Sequence, residues 1–285
     1  MQKQNRILIV GAGELGTALG QILAKSLENQ VSFWDKDETR VENWRPLKKA
    51  VAGKEIIFLA IPTQAVAEVL PGIPRSAMPI ILSKGLSEEG ETAWEIAREV
   101  LSANLALISG PMIAGELSRG ENTAALISGS ADTVNKAVSL FQNTNLSLQF
   151  FDDLIGLSWC GPLKNIYAIV LGVAEGENKG NNYKGVLIQK AVSEMAGIIE
   201  FFGGWKETAF TIAGIGDLVA TGYSSHSANF QLGISLVAGS GWRKPTEGVS
   251  AALGLKRRLG DQLANWPLLS SITERLVNTT NLSNF

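Results

Sequence analysis

Apolar positions in the first half of the chain fall into short runs, Ile7–Val10, Val31–Trp34, Ile56–Ile61, Ile80–Leu82 and Leu105–Ser109. Between them lie stretches of helical spacing such as Thr17–Leu27 and Gln64–Leu70. Short β-branched or apolar runs alternating with helices predict parallel strands joined by crossovers, a doubly wound α/β domain. Thr123–Ser128, a polar helix over 132–142 and Leu146–Phe151 then add edge strands to the same sheet, with an antiparallel one allowed. From Asp152 the pattern changes to long helical segments such as Leu163–Val173 and Tyr183–Phe202, with glycine-rich breaks and no further strand. The expectation is an α/β domain over residues 1–151 followed by an all-α domain over 152–285.

Composition narrows the possibilities. At roughly 150 residues per domain, 285 residues suit about two domains, and 45% hydrophobic with 18% charged residues is a folding composition. Lys plus Arg (25) nearly balances Asp plus Glu (27), so no overall field attracts nucleic acid. One cysteine, Cys160, and one histidine, His226, supply neither a disulfide nor an ordinary metal site, and no metal is expected. Cys160 reads as a buried inert thiol and His226 as an exposed bystander in a serine-rich loop. The apolar run after MQKQNR is too short for a signal-peptide core. No stretch reaches the roughly 20 apolar residues of a membrane span, so a cytoplasmic protein is expected.

The glycine turn Gly11-Ala12-Gly13-Glu14-Leu15-Gly16 follows the first strand directly and opens a helix. The first glycine permits a tight turn, the second lets a pyrophosphate approach the backbone, and the third lets helix and strand pack closely. Asp35 follows about 20 residues on, at the end of the second strand, where a carboxylate accepts from an adenosine ribose hydroxyl and repels a 2′-phosphate. Lys36 and Arg40 are placed to neutralise such a phosphate. NAD is therefore favoured over NADP only narrowly. Beyond the other strand ends lie Pro62, Ser83-Lys84-Gly85 and Ser109-Gly110-Pro111, where ligands of open α/β sheets sit. In the second half, Lys164-Asn165 interrupts an apolar helix; a buried lysine needs a carboxylate, a cavity or a ligand, and Asp217 in Gly214-Ile215-Gly216-Asp217 is a candidate partner.

In their order, GAGELGTALG, the tryptophan closing the second strand, SKGL, ISGPMIAGEL, LKNIYAI, SEMAG, GIGDLVAT and Glu247-Gly248 resemble the NAD(P)-dependent glycerol-3-phosphate dehydrogenase family, the bacterial branch in particular. The resemblance runs from Ile7 to about Leu269. It implies a Rossmann domain followed by a helical domain like that of 6-phosphogluconate dehydrogenase, a homodimer, and reversible reduction of dihydroxyacetone phosphate to glycerol 3-phosphate for phospholipid synthesis. It assigns Lys164 as general acid/base, Lys84 as a lysine touching cofactor and substrate, and Asp217 as the aspartate beside them. The cofactor set it implies, with the glycine turn, is Gly11, Gly13, Glu14, Leu15, Gly16, Trp34, Asp35, Lys36, Pro62, Lys84, Ala114 and Glu247. The substrate set is Lys84, Gly110, Met112, Lys164, Asn165, Asp217, Ser227 and Asn229.

Three departures stand out. Ala228 replaces an arginine that in the family holds the substrate phosphate, with His226, Lys179, Lys184 and Arg243 as candidate substitutes. Met112 replaces a small hydroxyl residue, and the segment over 35–55 is shortened. A related dehydrogenase for another small hydroxy acid or imine, and a non-catalytic redox sensor, therefore stay open alongside the reductase.

Overall fold

The computed structural model describes residues 4–101, 104–239 and 246–282. The chain divides into two compact units, Met1–Ser83 with Ala93–Leu154, and Lys84–Thr92 with Ile155–Phe285.

The first unit is built on a seven-stranded sheet: β1 (Asn5–Val10), β2 (Asn29–Trp34), β3 (Ile56–Leu59), β4 (Met78–Ile81), β5 (Ala106–Ser109), β6 (Thr123–Gly129) and β7 (Leu146–Phe150). The order is β2-β1-β3-β4-β5-β6-β7; neighbouring pairs are parallel except β5 and β6, which run antiparallel. The reversal of strand order around β1 makes its carboxyl end a topological switch point, the place where such sheets bind ligands. β3 and β5 are buried throughout, which is why they read as unbroken apolar runs, whereas edge strand β7 exposes Ser147, Gln149 and Phe150. Helices α1 (Glu14–Leu23), α2 (Leu47–Ala50), α3 (Thr63–Val69), α4 (Ala93–Val100), α5 (Ala114–Arg119) and α6 (Ala131–Phe141) complete the unit. Ile7, Ile9, Leu19, Ile22, Phe58 and Ile108 belong to its apolar core.

α1 ends four residues short of the expected Leu27. The Asn29 side chain donates to the Leu23 carbonyl at 2.9 Å and closes the helix there, leaving Leu27 93% exposed. Apolar spacing carries the expected helix past this stop, because periodicity does not see the Asn29 side chain that closes it.

The second unit contains α7 (Leu154–Gly176), α8 (Asn181–Phe201), α9 (Asp217–Gly222), α10 (Ala228–Ala238), α11 (Glu247–Leu259) and α12 (Pro267–Leu282), and no strand follows β7 among the described residues. A π-helical turn over Ile212–Gly216 leads directly into α9. α7 starts well before the expected Leu163 and runs through Pro162, at the cost of one backbone hydrogen bond. Burial of Leu157, Trp159 and Cys160 on the N-terminal side of that proline outweighs the loss. By length and composition α7 would also cross a membrane, contrary to the expectation that no stretch is so long. Yet 83% of its most apolar window is buried inside the protein, as befits a core helix.

Candidate active site

In the first unit the glycine turn joins β1 to α1. Gly11 adopts φ +102°, and a Cβ there would lie 2.2 Å from the Ala60 carbonyl oxygen. At Gly16 a Cβ would meet the Gly11 oxygen at 1.9 Å, so both positions exclude any side chain. Gly13 is the N-cap of α1, has no side chain to satisfy the first N–H groups, and has no atom within 4 Å of where a Cβ would stand. An open helix start of this kind, with Glu14 and Leu15 in its first turn, fits a pyrophosphate.

Asp35 sits beside this turn. Its Oδ2 accepts the Ala12 N–H at 2.8 Å and its Oδ1 the Asp37 N–H at 2.9 Å, which fixes the carboxylate while leaving lone pairs for a hydroxyl. The two cations set against it by sequence are already engaged: Lys36 pairs with Glu68 at 3.0 Å, and Arg40 with Asp37 at 3.3 Å. The Trp34 indole donates to the Arg45 carbonyl at 3.0 Å and that of Trp44 to the Asp35 carbonyl at 2.9 Å, so the shortened segment is tied to the end of β2. Pro62 precedes α3, and Ala114 is the first residue of α5. Gly110 has φ +144°, with Ala125 close behind it. Met112, placed by resemblance among the substrate contacts, is buried in the apolar core of this unit. An apolar thioether packs well there.

The second unit gathers the ionisable residues. Lys84 follows β4 in sequence but groups with the helices. Asp217, the first residue of α9, accepts from Lys84 Nζ at 2.7 Å through Oδ2 and lies 3.4 Å from Lys164 Nζ through Oδ1. Lys164 Nζ also donates to Thr221 Oγ1 at 2.8 Å, and that hydroxyl donates to Asp217 Oδ1 at 3.3 Å. Asp217 and Lys164 are almost fully buried, at 2% and 7% exposure. Burial is the largest influence on Lys164 and holds its ammonium below the ordinary lysine range; Asp217 opposes the shift, Lys84 adds to it and Glu247 opposes it. For Asp217 burial pushes upward, but the charges of Lys164 and Lys84 outweigh it and keep the carboxyl below the usual range.

A second network extends from this cluster. The Asn165 amide donates to the Lys84 carbonyl at 3.1 Å and to Glu247 Oε2 at 3.2 Å. Asn229 donates to Asn165 Oδ1 at 3.0 Å and accepts the Gly248 N–H at 3.1 Å. Ser227 caps α10 by accepting the Phe230 N–H at 3.2 Å, and Ala228 and His226 are exposed beside it. Cys160 is free and buried. Of the candidate substitutes for the missing arginine, Lys179 and Lys184 pair with Glu177 and Glu175, and Arg243 lies outside the described residues. Sequence reasoning left Thr221 without a part in the cluster. Its signal is the four-residue spacing from Asp217, which puts both on one helix face.

A dinucleotide turn on a doubly wound sheet, in one chain with a buried Lys–Asp–Lys cluster on helices, defines an NAD(P)-dependent oxidoreductase. The family pattern described as the NAD-dependent glycerol-3-phosphate dehydrogenase N-terminus matches residues 39–135, and the corresponding C-terminus pattern matches residues 153–285. The chain belongs to that family. It is 30% identical to the glycerol-3-phosphate dehydrogenase (NAD(P)+) of Thermus thermophilus, over 82% of this chain and 80% of that one. It is likewise 30% identical to the Methylobacillus flagellatus enzyme of the same name, over 95% and 93%. The solved glycerol-3-phosphate dehydrogenase of Coxiella burnetii superposes with a TM-score of 0.88 at 25% identity, covering 96% and 94% of the two chains. A 2-dehydropantoate 2-reductase from Geobacter metallireducens, at 15% identity and a TM-score of 0.61 over 96% and 99%, shares the fold alone.

Proposed function

We propose that this chain reduces dihydroxyacetone phosphate to sn-glycerol 3-phosphate, reversibly, in the supply of glycerophospholipid precursors. The observation that carries the reading is the buried Lys164–Asp217–Lys84 cluster. Bound NAD(P)H supplies the hydride. Lys164 donates to the substrate carbonyl oxygen and gives it a proton as negative charge develops there. An ammonium has three donors; Thr221 and Asp217 orient two, and in this reading the third serves the substrate. Asp217 offsets the cost of burying that charge, and Lys84 stabilises the same developing oxyanion. Asn165 holds the backbone of Lys84 and the carboxylate of Glu247 in place at the nicotinamide side. Ser227 and Asn229, at the start of α10, take the substrate phosphate.

NAD is the preferred cofactor in this reading, because Asp35 is fixed beside the turn, where a carboxylate accepts from a ribose hydroxyl and repels a 2′-phosphate. The remaining cofactor contacts are the glycine turn, Trp34, Pro62, Ala114 and Glu247. A homodimer belongs to the same proposal, supported by Tyr183, Val186 and Phe201, which α8 leaves about half exposed; sedimentation analysis tests it. Residence in the cytoplasm belongs to the same proposal, consistent with the free, buried Cys160.

The test is a spectrophotometric assay of nicotinamide oxidation with dihydroxyacetone phosphate, run with NADH and NADPH in parallel and with Lys164→Ala as the control. Turnover lost in the variant supports the reductase. Tight cofactor binding without turnover would overturn it and point to a non-phosphorylated carbonyl, the reading that the alanine at 228 favours.

A further inference from the structure

Lys84 reaches Asp217 from a loop that the helices hold. Within Lys84–Thr92 the chain closes on itself: the Ser87 N–H donates to the Glu91 carbonyl at 2.8 Å, the Gly90 N–H to the Ser87 carbonyl at 3.1 Å, and Leu86 bridges to Thr92. The closed loop then seats on α11. Gly90 has φ +82°, and a Cβ on it would stand 2.6 Å from the Gly254 carbonyl oxygen and 2.9 Å from Arg258 Cβ. A Cβ on Gly254 would lie 2.6 Å from the Ser87 carbonyl oxygen. Two glycines therefore let loop and helix meet backbone to backbone, and two arginines bind them: Arg257 Nε donates to the Glu88 carbonyl at 2.6 Å and Arg258 to the Gly90 carbonyl at 2.8 Å.

Arg258 differs from its neighbour in what lies behind it. Its guanidinium stacks over the Phe202 ring at 4.4 Å and the Trp159 ring at 5.3 Å, and those rings stack on each other at 4.1 Å. Trp159 is fully buried in α7, five residues ahead of Lys164 on the same helix. A planar guanidinium can stack on a ring face and donate from its edge at once, which a lysine ammonium cannot. Arg258 thus joins the core of α7 and α8 to the loop that carries Lys84.

We propose that Arg258 is a positioning residue for Lys84, a clamp that fixes the Lys84 loop against the helices and so sets the distance of its ammonium from Asp217 and the reacting oxygen. This rests on the reading of Lys84 given under the proposed function. The variants are Arg258→Met, which keeps the aliphatic stem, and Arg258→Lys, which keeps the charge, each in the parent and in a Lys84→Met background. Steady-state rates with dihydroxyacetone phosphate and thermal midpoints are recorded for all.

Misplacing a catalytic group by about 1 Å costs on the order of 100-fold. Arg258→Met is accordingly expected to lower kcat/KM by about 10- to 100-fold in the parent, with Arg258→Lys recovering part of it. In the Lys84→Met background the same change alters kcat/KM by less than about twofold, because an effect that acts through Lys84 vanishes with it. A lowered thermal midpoint with unchanged kcat/KM in the parent overturns the clamp, as does an equal loss in both backgrounds. If Lys84→Met itself turns over like the parent, the reading of Lys84 fails and the clamp with it. Should Arg258→Met not fold, Arg258→Lys decides by the same comparison.

Discussion

Asp217 accepts a hydrogen bond from Lys84 at 2.7 Å across 133 residues of chain, and its second oxygen faces Lys164 at 3.4 Å. One buried carboxylate thus divides itself between two ammonium groups that would otherwise repel each other. The chemistry and the energetic cost of the cluster both hang on that sharing.

Asp217→Asn removes the only negative charge among the three side chains and leaves two buried or half-buried cations. Breaking a buried pair from one side costs about 3–5 kcal/mol, so a lower denaturation midpoint is expected, together with a fall in kcat of at least about 100-fold. Chemical denaturation and steady-state assay check both.

The Asp217 carboxyl titrates below its ordinary value in the folded chain. Its ionised form therefore contributes stability that is present above the unfolded carboxylate range, about pH 4, and is lost as pH falls through the folded value. A denaturation series from pH 6 to pH 2, parent against Asp217→Asn, should show that acid-side slope in the parent and a shallower one in the variant.

Lys164 carries the opposite consequence. Its folded value is held below the ordinary lysine range, first by burial, so the unfolded chain binds more protons between the two values and stability rises with pH across that window. Carbonyl reduction requires the ammonium, so kcat is expected to decline as pH rises through the lowered value, before about pH 10.4 where a free lysine titrates. Lys84→Met, by removing a like charge, should move that limb to higher pH; a limb that moves down or stays fixed would count against Lys164 as the proton donor.

Ala228 is exposed at the first position of α10, beside the Ser227 cap, with room for a longer side chain. Ala228→Arg is expected to lower KM for dihydroxyacetone phosphate by about 10-fold, the worth of a charge-assisted pair to phosphate, with little change for a carbonyl that lacks the phosphate. A substrate panel on parent and variant measures the difference.

Glu194 supports the fold away from this chemistry. It accepts from the Tyr167 hydroxyl at 2.8 Å and from the N–H groups of Leu268 and Leu269 at 2.7 and 3.0 Å, capping α12 from α8. Burial and then the neighbouring carboxylate keep the Tyr167 hydroxyl protonated well above its usual value. Glu194→Ala should cost about 2 kcal/mol or more through the donors it leaves unpaired, read as a lower denaturation midpoint, while kcat of the folded fraction holds.

Much of this was legible in the chain itself. The strand runs, the glycine turn and the change to helices after Asp152 follow from local periodicity and from the steric demands of glycine, and the sheet forms where they place it. Lys164 stood out because a lysine in an apolar helix needs a partner, and Asp217 was the carboxylate at hand. The local rules failed where distant contacts outvoted them. The expected helical segment begins at Leu163, yet burial on both sides carries α7 through Pro162.

By itself, then, the sequence determined the order and kind of the elements, the dinucleotide turn and the identity of the ionisable residues, because each depends on neighbours within a few positions. Only the tertiary structure decided that Lys84 joins the helical unit although it follows a strand of the sheet. It alone brought Thr221 into the cluster, placed burial ahead of charge repulsion in setting Lys164, and put Arg258 behind the Lys84 loop. Those outcomes turn on which groups meet across a hundred or more residues and how much water they exclude. Packing settles both, and no local pattern encodes either.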